Sequence, residues 1–267
     1  MAEVRGLRSL VGSADLPPGT LIDRTVLGVR SEPLLWRADF PAGPDGWRRM
    51  LPVRDATGLW PVLLGRHGRG TAVEDDLLPV PGGGLNGGID AGDTLARWWE
   101  EHAAREPDAR ALRPYGRRWP GLAPPVAAVG DPDGAAAEVA RSLVANGILL
   151  DPRIALVPVR RGADVPEAIG WTGTLASGEG AAPFGAVLRS WEERFGARVV
   201  ALEPEVLHLS VASPPGTVSE ALAVAAEHFA FCPAVIGQGA GSLVRYAEKW
   251  LVPGAHGGGR HWSFWWD

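Results

Sequence analysis

The chain has 267 residues, a formal net charge of −5 at pH 7, and 12 tryptophans against two tyrosines and six phenylalanines. The modest acidic charge argues against nucleic acid as a partner, because such binding depends on clustered Lys and Arg. The single cysteine, Cys232, excludes an intrachain disulfide and a Cys-based zinc site.

The first 125 residues predict a β-rich region with one helix. Runs at residues 25–29 and 34–37 favour strands, and the apolar run from Gly58 to Gly65 predicts a buried strand. A helix is expected over residues 94–105, with Asp93 as its N-cap. The segment from residue 119 to 134 holds four prolines, which indicates a linker before a second domain at residues 133–267.

The second region predicts helices that alternate with strands. Phe184 to Phe195 has apolar residues at i, i+3, i+4 and i+7, which is the pattern of an amphipathic helix. Thr217 and Glu220 fit a capping box at the start of another helix. The predicted elements are, in chain order, helix 133–146 capped by Asp133, strand 154–159, helix 184–195, a hairpin of strands 198–202 and 206–211, and helices 217–230 and 242–251.

The C-terminal residues are rich in aromatic side chains. In an extended conformation Trp262, Phe264 and Trp266 face one way and Trp265 faces the other. A strand that is apolar on both faces is expected inside a sheet or under a second layer. Asp267 would place carboxylates beside buried indoles, and these charges need cationic partners, for which Arg189, Arg194 and Arg245 are candidates.

These elements together predict an α+β or three-layer fold. We expect a mixed, mostly antiparallel sheet with helices packed on one side, a Trp-rich core and a C-terminal Trp-rich strand. The longest apolar runs are far shorter than the about 20 residues of a membrane span, and the first residues lack the apolar core of a secretory signal. We therefore expect a cytoplasmic protein that binds no membrane.

Glu192 lies at the edge of the apolar face of its predicted helix. It is either an acid/base carboxylate at a cleft rim or part of a solvated surface, with Arg189 and Arg194 as partners. The second reading is favoured, because exposed charge is the norm on amphipathic helices.

His228 flanks the buried stripe of the helix that begins at Thr217, and Glu227 is expected on the outer face. His228 and Cys232 could form a nucleophile pair, but such a pair needs a third, orienting group. The favoured alternative is a half-buried His228 bonded to the backbone, with Cys232 packed as a small apolar side chain.

No cofactor or metal is expected. The six histidines lack the i, i+4 spacing of a zincin. Two glycine-rich loops, at residues 82–92 and 237–242, precede helices and could bind phosphate, but neither contains the Gly-Lys-Ser/Thr of a P-loop. Flexible connections are the favoured reading of both loops.

Several segments of the second region form a recognisable set of motifs in order: Gly170–Gly173, Leu188–Ala197, Val211–Pro215, Ala226–Pro233, Tyr246–Ala247 and Trp262–Asp267. With these segments the chain, from about residue 155 to 267, resembles a bacterial family catalogued only as domain of unknown function number 4253. The resemblance implies no activity. The family pattern has Asp at the position of Ala234 and Asn near the position of Ala176. If those polar groups were catalytic, the activity would be impaired in this chain. If they only cap turns or helices, their loss costs little stability.

Two classes of function follow. The first is a non-catalytic binding or interaction module of regulatory or immunity type, with a protein or small-molecule partner, because Trp is enriched at binding hot spots. Trp171, Trp191 and Trp262 are its candidate binding residues. The alternative is a hydrolase-like small-molecule enzyme that uses Glu192, His228 and Asp267 in a cleft roofed by Trp171 and Trp191. Convergence of those three ionisable groups on one pocket would favour the enzyme.

Overall fold

The structure is a computed structural model, which describes residues 6–12, 14–66, 70–79, 88–127, 130–177, 180–253 and 259–266, without the side chains of residues 174, 176 and 177. The strands are β1 Gly19–Ile22, β2 Arg24–Thr25, β3 Gly28–Val29, β4 Leu35–Ala38, β5 Trp60–Arg66, β6 Leu150–Val157, β7 Ala197–Leu202, β8 Val206–Val211 and β9 His261–Trp265. The α-helices are α1 Leu7–Gly12, α2 Gly46–Arg49, α3 Leu51–Thr57, α4 Ala91–Arg105, α5 Pro132–Ala145, α6 Val165–Ile169, α7 Ala181–Phe195, α8 Val218–Phe231 and α9 Leu243–Tyr246. Single 3₁₀ segments lie at Val73–Asp75, Gly162–Asp164 and Thr172–Ser177, and π-helical turns at Val235–Ala240 and Ala247–Leu251.

Seven strands form one sheet in the order β1-β4-β6-β5-β7-β8-β9. Neighbouring strands are antiparallel except β5 and β7, which run parallel. The predicted α+β fold with a mixed, mostly antiparallel sheet is confirmed. Strands from before and after residue 125 share this sheet, and the division into two domains stays a prediction.

Helices cover both faces of the sheet. Alternate residues of a strand point to opposite faces, and on β5 Val62 and Leu64 belong to one buried cluster and Leu63 to the other. The cluster of Val62 and Leu64 is closed by α4, α7 and α8, and the cluster of Leu63 by α1, α2 and α5. The expectation that the helices pack on one side is therefore wrong: the central strands are apolar on both faces, and each face requires a cover.

Two helices begin earlier than the sequence indicated. The Asp90 carboxylate accepts the backbone N–H of Asp93, which makes Asp90 the N-cap of α4. Likewise Asp131, not Asp133, caps α5. In both cases an Asp two or three residues upstream satisfies the free N–H groups of the first turn. The capping box at Thr217 and the hairpin of β7 and β8 are confirmed.

The aromatic C-terminal segment is docked, as predicted. Trp262, Phe264 and Trp266 are buried on one face, whereas Trp265 is only partly buried. The Phe264 ring stacks on Trp191 of α7, with centroids 5.3 Å apart. Of the two expected positions, inside a sheet or under a second layer, the structure has the second: β9 is the last strand in the order, and helices cover its aromatic face. Asp267 lies outside the described residues, and two of its candidate partners, Arg189 and Arg194, pair instead with Asp164 and Glu227.

Candidate functional site

Polar side chains form a short strip on the sheet face that α5 covers. His208 and Ser210 of β8 are opposite Ser263 and His261 of β9 in the strand register. Because their strand neighbours Leu207, Leu209, Trp262 and Phe264 point into the aromatic core, these four polar residues point to the other face. The structure thus places two histidines and two serines together on the sheet face that α5 partly covers.

The two histidines and Glu203, which lies in the turn between β7 and β8, form a continuous hydrogen-bonded chain. Glu203 Oε1 lies 3.2 Å from His208 Nε2, and His208 Nδ1 lies 3.1 Å from His261 Nε2. The two imidazole rings are stacked, with centroids 5.2 Å apart. We refer to Glu203, His208 and His261 as the carboxylate–histidine chain.

The turn between β7 and β8 holds Glu203 in position from two sides. Its backbone carbonyl accepts a hydrogen bond of 2.8 Å from the Trp171 indole N–H, and its own N–H donates to the Val206 carbonyl. Gly65 of β5 leaves room for the side chain, because a Cβ at that position would lie 2.9 Å from Glu203 Cγ. The carboxylate end of the chain is therefore fixed by packing as well as by hydrogen bonds.

A cavity lies beside His261 and is larger than a second cavity that the same residue also lines. It has a volume of about 450 Å³ and lies between α5 and the start of β9. Its apolar wall includes Val139, Leu143 and Ile148, and its polar lining includes Ser142, Arg260 and His261. We refer to this cavity as the α5–β9 cleft.

Two carboxylates that line the α5–β9 cleft are engaged elsewhere. Asp131 accepts the first backbone N–H groups of α5, and Glu138 pairs with Arg48. The pKa of His261 is lowered to about 4, mainly by burial and further by the neighbouring His208. His261 is consequently neutral near pH 7 and offers ring nitrogens rather than a positive charge to the cleft.

Glu192 lies on α7, away from the cleft lining. One of its oxygens accepts the Ala163 N–H at 3.1 Å, and the other lies 3.4 Å from the Arg198 guanidinium. Burial raises the pKa of this carboxyl, and Arg198 opposes the rise. The prediction of Arg189 and Arg194 as partners of Glu192 is wrong, because Arg189 pairs with Asp164 and Arg194 with Glu227.

The prediction that Glu227 lies on the outer face of its helix is also wrong. Glu227 is fully buried and forms a bidentate ion pair with Arg194, with N–O distances of 2.6 and 2.7 Å. Its oxygens also accept the Trp191 indole N–H at 2.7 Å and the Ala123 backbone N–H at 2.6 Å. Because α4, α7 and α9 surround α8, this helix has no solvated face at Glu227.

His228 is fully buried rather than half-buried. Its Nδ1 lies 3.0 Å from the Tyr246 hydroxyl, and the rings of Trp191, Trp262 and Phe264 enclose it. Cys232 is buried as predicted, and its thiol donates to the Trp265 carbonyl. Burial lowers the pKa of His228 well below its ordinary value, and Arg194 adds to the effect.

A neutral buried His228 predicts a loss of stability in mild acid. Below a pH of about 6.5 the unfolded chain binds a proton at this ring that the folded chain excludes, so the free energy of unfolding falls as the pH falls. Each pH unit below that value costs up to about 1.4 kcal/mol from this residue. Urea unfolding between pH 7.5 and 5 measures the slope, which is expected to be smaller in His228→Gln. An equal slope in both proteins contradicts the prediction.

The three tryptophans proposed for binding are core residues. Trp171, Trp191 and Trp262 are each at most 1% exposed, so their indoles pack against other rings. Trp262 also lines a second cavity, of about 220 Å³, together with Trp250 and Trp265. Glu192 and His228 contact separate groups, and Asp267 lies outside the described residues, so a joint catalytic role for these three stays a prediction.

The carboxylate–histidine chain was missed from the sequence. The available signal was His208 and Ser210, two polar residues at a spacing of two within an otherwise apolar strand. His261 lies 53 positions further along the chain, and only the pairing of β8 with β9 brings it to His208. Ala234, at one of the two departures from the family pattern, precedes the π-helical turn at 235–240 and provides no side-chain cap.

Within the described residues, no group of three or more His, Cys, Asp or Glu is arranged to hold a metal ion. In the same part of the chain, no helix combines the length and the apolar character that a membrane crossing requires.

The family resemblance is confirmed for the C-terminal part of the chain. Residues 153–267 match the family model described as Domain of unknown function (DUF4253). Glu203, His208 and His261 all lie inside the matched segment, whereas α5 precedes it. The chain matches no curated protein and no solved structure.

Proposed function

We propose that the protein is a binding module for a small molecule, which lies in the α5–β9 cleft. The cleft is the observation that carries this proposal. Its volume of about 450 Å³ falls within the range of roughly 300–1,000 Å³ that is typical of small-molecule sites. An apolar wall with a few polar groups at one end is also typical of such sites.

The lining supports a ligand of mixed character. Val139, Leu143 and Ile148 provide contact area for an apolar body, and Ile148 is 48% exposed. At the β9 side, Arg260 and His261 offer a hydrogen-bond donor and a ring nitrogen. The narrower idea of a regulatory or immunity-type interaction with another protein stays a prediction.

Closing the cleft with a large side chain tests the proposal. Ala135 lines the cleft from α5, and Ala135→Trp is expected to weaken the binding of cleft ligands at least tenfold by occupying their volume. A library of soluble aromatic fragments, screened by ligand-observed NMR, supplies the probes. Ala145→Trp is the matched control, because Ala145 is exposed on the same helix outside the cleft lining. Fragments that bind equally to both variants, or the lack of any cleft-directed fragment, would reject the proposal.

One observation favours the hydrolase-like alternative. Glu203 and His208 form a carboxylate–histidine pair that leads to the cleft through His261, although none of these residues was a candidate in the sequence. Such an enzyme would use His261 to take a proton from an attacking water molecule and return it to the leaving group. Binding is the preferred proposal, since it requires only the groups that the cleft already presents. Hydrolysis of 4-nitrophenyl acetate that disappears in His261→Asn would favour the enzyme instead.

A further inference from the structure

We propose that the carboxylate–histidine chain has a fixed direction and leaves Nδ1 of His261, a residue that lines the α5–β9 cleft, as a hydrogen-bond acceptor, so that the ligand is a small molecule with an apolar body and a hydroxyl or N–H donor. This inference deepens the proposed function and rests on it. One part of the inference can be tested without a ligand, because it concerns only which ring nitrogen of His208 and of His261 carries the proton.

The direction follows from the carboxylate end. An ionised Glu203 can only accept hydrogen bonds, so His208 Nε2 must carry a proton and donate it. In a neutral His208 the other nitrogen, Nδ1, is then an acceptor. The contact of 3.1 Å to His261 Nε2 requires the proton to lie on that Nε2. A neutral His261 with a proton on Nε2 has its lone pair on Nδ1.

The surroundings of His261 keep the ring neutral. The ionisable groups that face it are His208 from β8, Asp131 and Glu138 from α5, its neighbour Arg260, and Tyr246 across the smaller cavity. The two carboxylates are engaged by the α5 backbone and by Arg48. Burial disfavours a charge on His261, so the acceptor nitrogen persists at neutral pH.

The acceptor narrows the class of ligand. A hydroxyl or N–H group placed at His261 Nδ1 gains a hydrogen bond, whereas an ether or carbonyl at the same place meets a lone pair. The apolar wall of Val139, Leu143 and Ile148 receives the rest of the molecule. Phenol and anisole are a matched pair of probes, because anisole has a similar ring but no O–H donor.

The first experiment locates the protons in the free protein. Two-dimensional ¹H–¹⁵N spectra of the imidazole rings at pH 7.5 are expected to show an unprotonated Nδ1 and a protonated Nε2 for both His208 and His261. In Glu203→Gln the carboxamide can present either its oxygen or its NH₂ group to His208, so both tautomers of His261 become comparably populated. Glu205→Gln is the matched control, with the same loss of charge at an exposed position two residues away, and it leaves the tautomers unchanged.

A protonated Nδ1 on His261 in the unmodified protein overturns the inference. An unchanged His261 tautomer in Glu203→Gln overturns it as well. Equal thermal unfolding of the two Gln variants shows that any tautomer change does not arise from a loss of folding.

The second experiment compares the two probes by chemical-shift titration. Phenol is expected to bind the α5–β9 cleft about fivefold more tightly than anisole, which corresponds to one hydrogen bond. The preference is expected to shrink in Glu203→Gln and to persist in Glu205→Gln. Equal affinities in the unmodified protein overturn the inference about the ligand. Binding of neither probe counts against the cleft as a binding site, while the tautomer spectra still decide the direction of the chain.

Discussion

Replacing Glu227 with Gln is expected to lower the free energy of unfolding by about 3–5 kcal/mol, the range for removal of one partner of a buried ion pair. The Glu227 carboxylate accepts four hydrogen bonds, two from Arg194, one from Trp191 and one from Ala123. A carboxamide has only one oxygen, and its NH₂ group would face other donors. The loss of charge also leaves the guanidinium of Arg194, which is nearly buried, without a counterion. Urea unfolding monitored by tryptophan fluorescence measures the change.

Glu193→Gln provides the control for this substitution. Glu193 pairs with Arg161 at the surface, where its side chain is 63% exposed, so we expect a change within about 0.5 kcal/mol. The double variant Arg194→Met with Glu227→Met is expected to recover part of the loss, because it removes both buried charges. If Glu227→Gln and Glu193→Gln unfold at the same urea concentration, the buried ion pair does not stabilise the fold as described.

Removing Trp262 to Asp267 is expected to abolish cooperative folding of the C-terminal region. The deletion takes away most of β9 and three buried aromatic side chains, Trp262, Phe264 and Trp266. Loss of one buried Phe or Trp typically costs about 3–5 kcal/mol, and a whole domain has only about 5–15 kcal/mol of stability. Near-UV circular dichroism and thermal unfolding report the outcome.

Trp250→Ala separates this effect from a general loss of indole. Trp250 is 49% exposed at the second cavity, and its replacement is expected to change stability by about 0.5 kcal/mol or less. Trp262→Ala alone should lie between this control and the deletion. A truncated protein that melts at the temperature of the full chain would show that the aromatic strand is not part of the core.

Local patterns predicted the elements whose signals are contained in a few residues. The amphipathic spacing of Phe184 to Phe195, the capping box at Thr217 and the β7–β8 hairpin are all present in the structure. The helices α1, α2, α3 and α6 were not predicted, because four to seven residues are too few to establish a helical period. The caps of α4 and α5 were misplaced because two Asp residues occur near each helix start, and only the backbone path decides between them.

Burial of polar residues could not be read from helical periodicity. Periodicity located the apolar stripe of α8, but it could not show that other helices close over Glu227 and His228. For the same reason, the sequence did not predict the candidate site. Glu203, His208 and His261 come together through a turn and a strand register, and residues 208 and 261 are brought together only by tertiary structure.

The sheet order β6-β5-β7 has a consequence for any shortened form of the protein. Strand β5, at residues 60–66, lies between β6, which belongs to the segment matched by the family from residue 153 onward, and β7, which lies wholly inside it. A fragment that starts at residue 153 would leave β6 and β7 about 10 Å apart, which is twice the normal spacing, with a row of unsatisfied backbone groups on each side. Such a fragment would require strand complementation, either by a peptide equivalent to β5 supplied in trans or by an edge strand of another molecule.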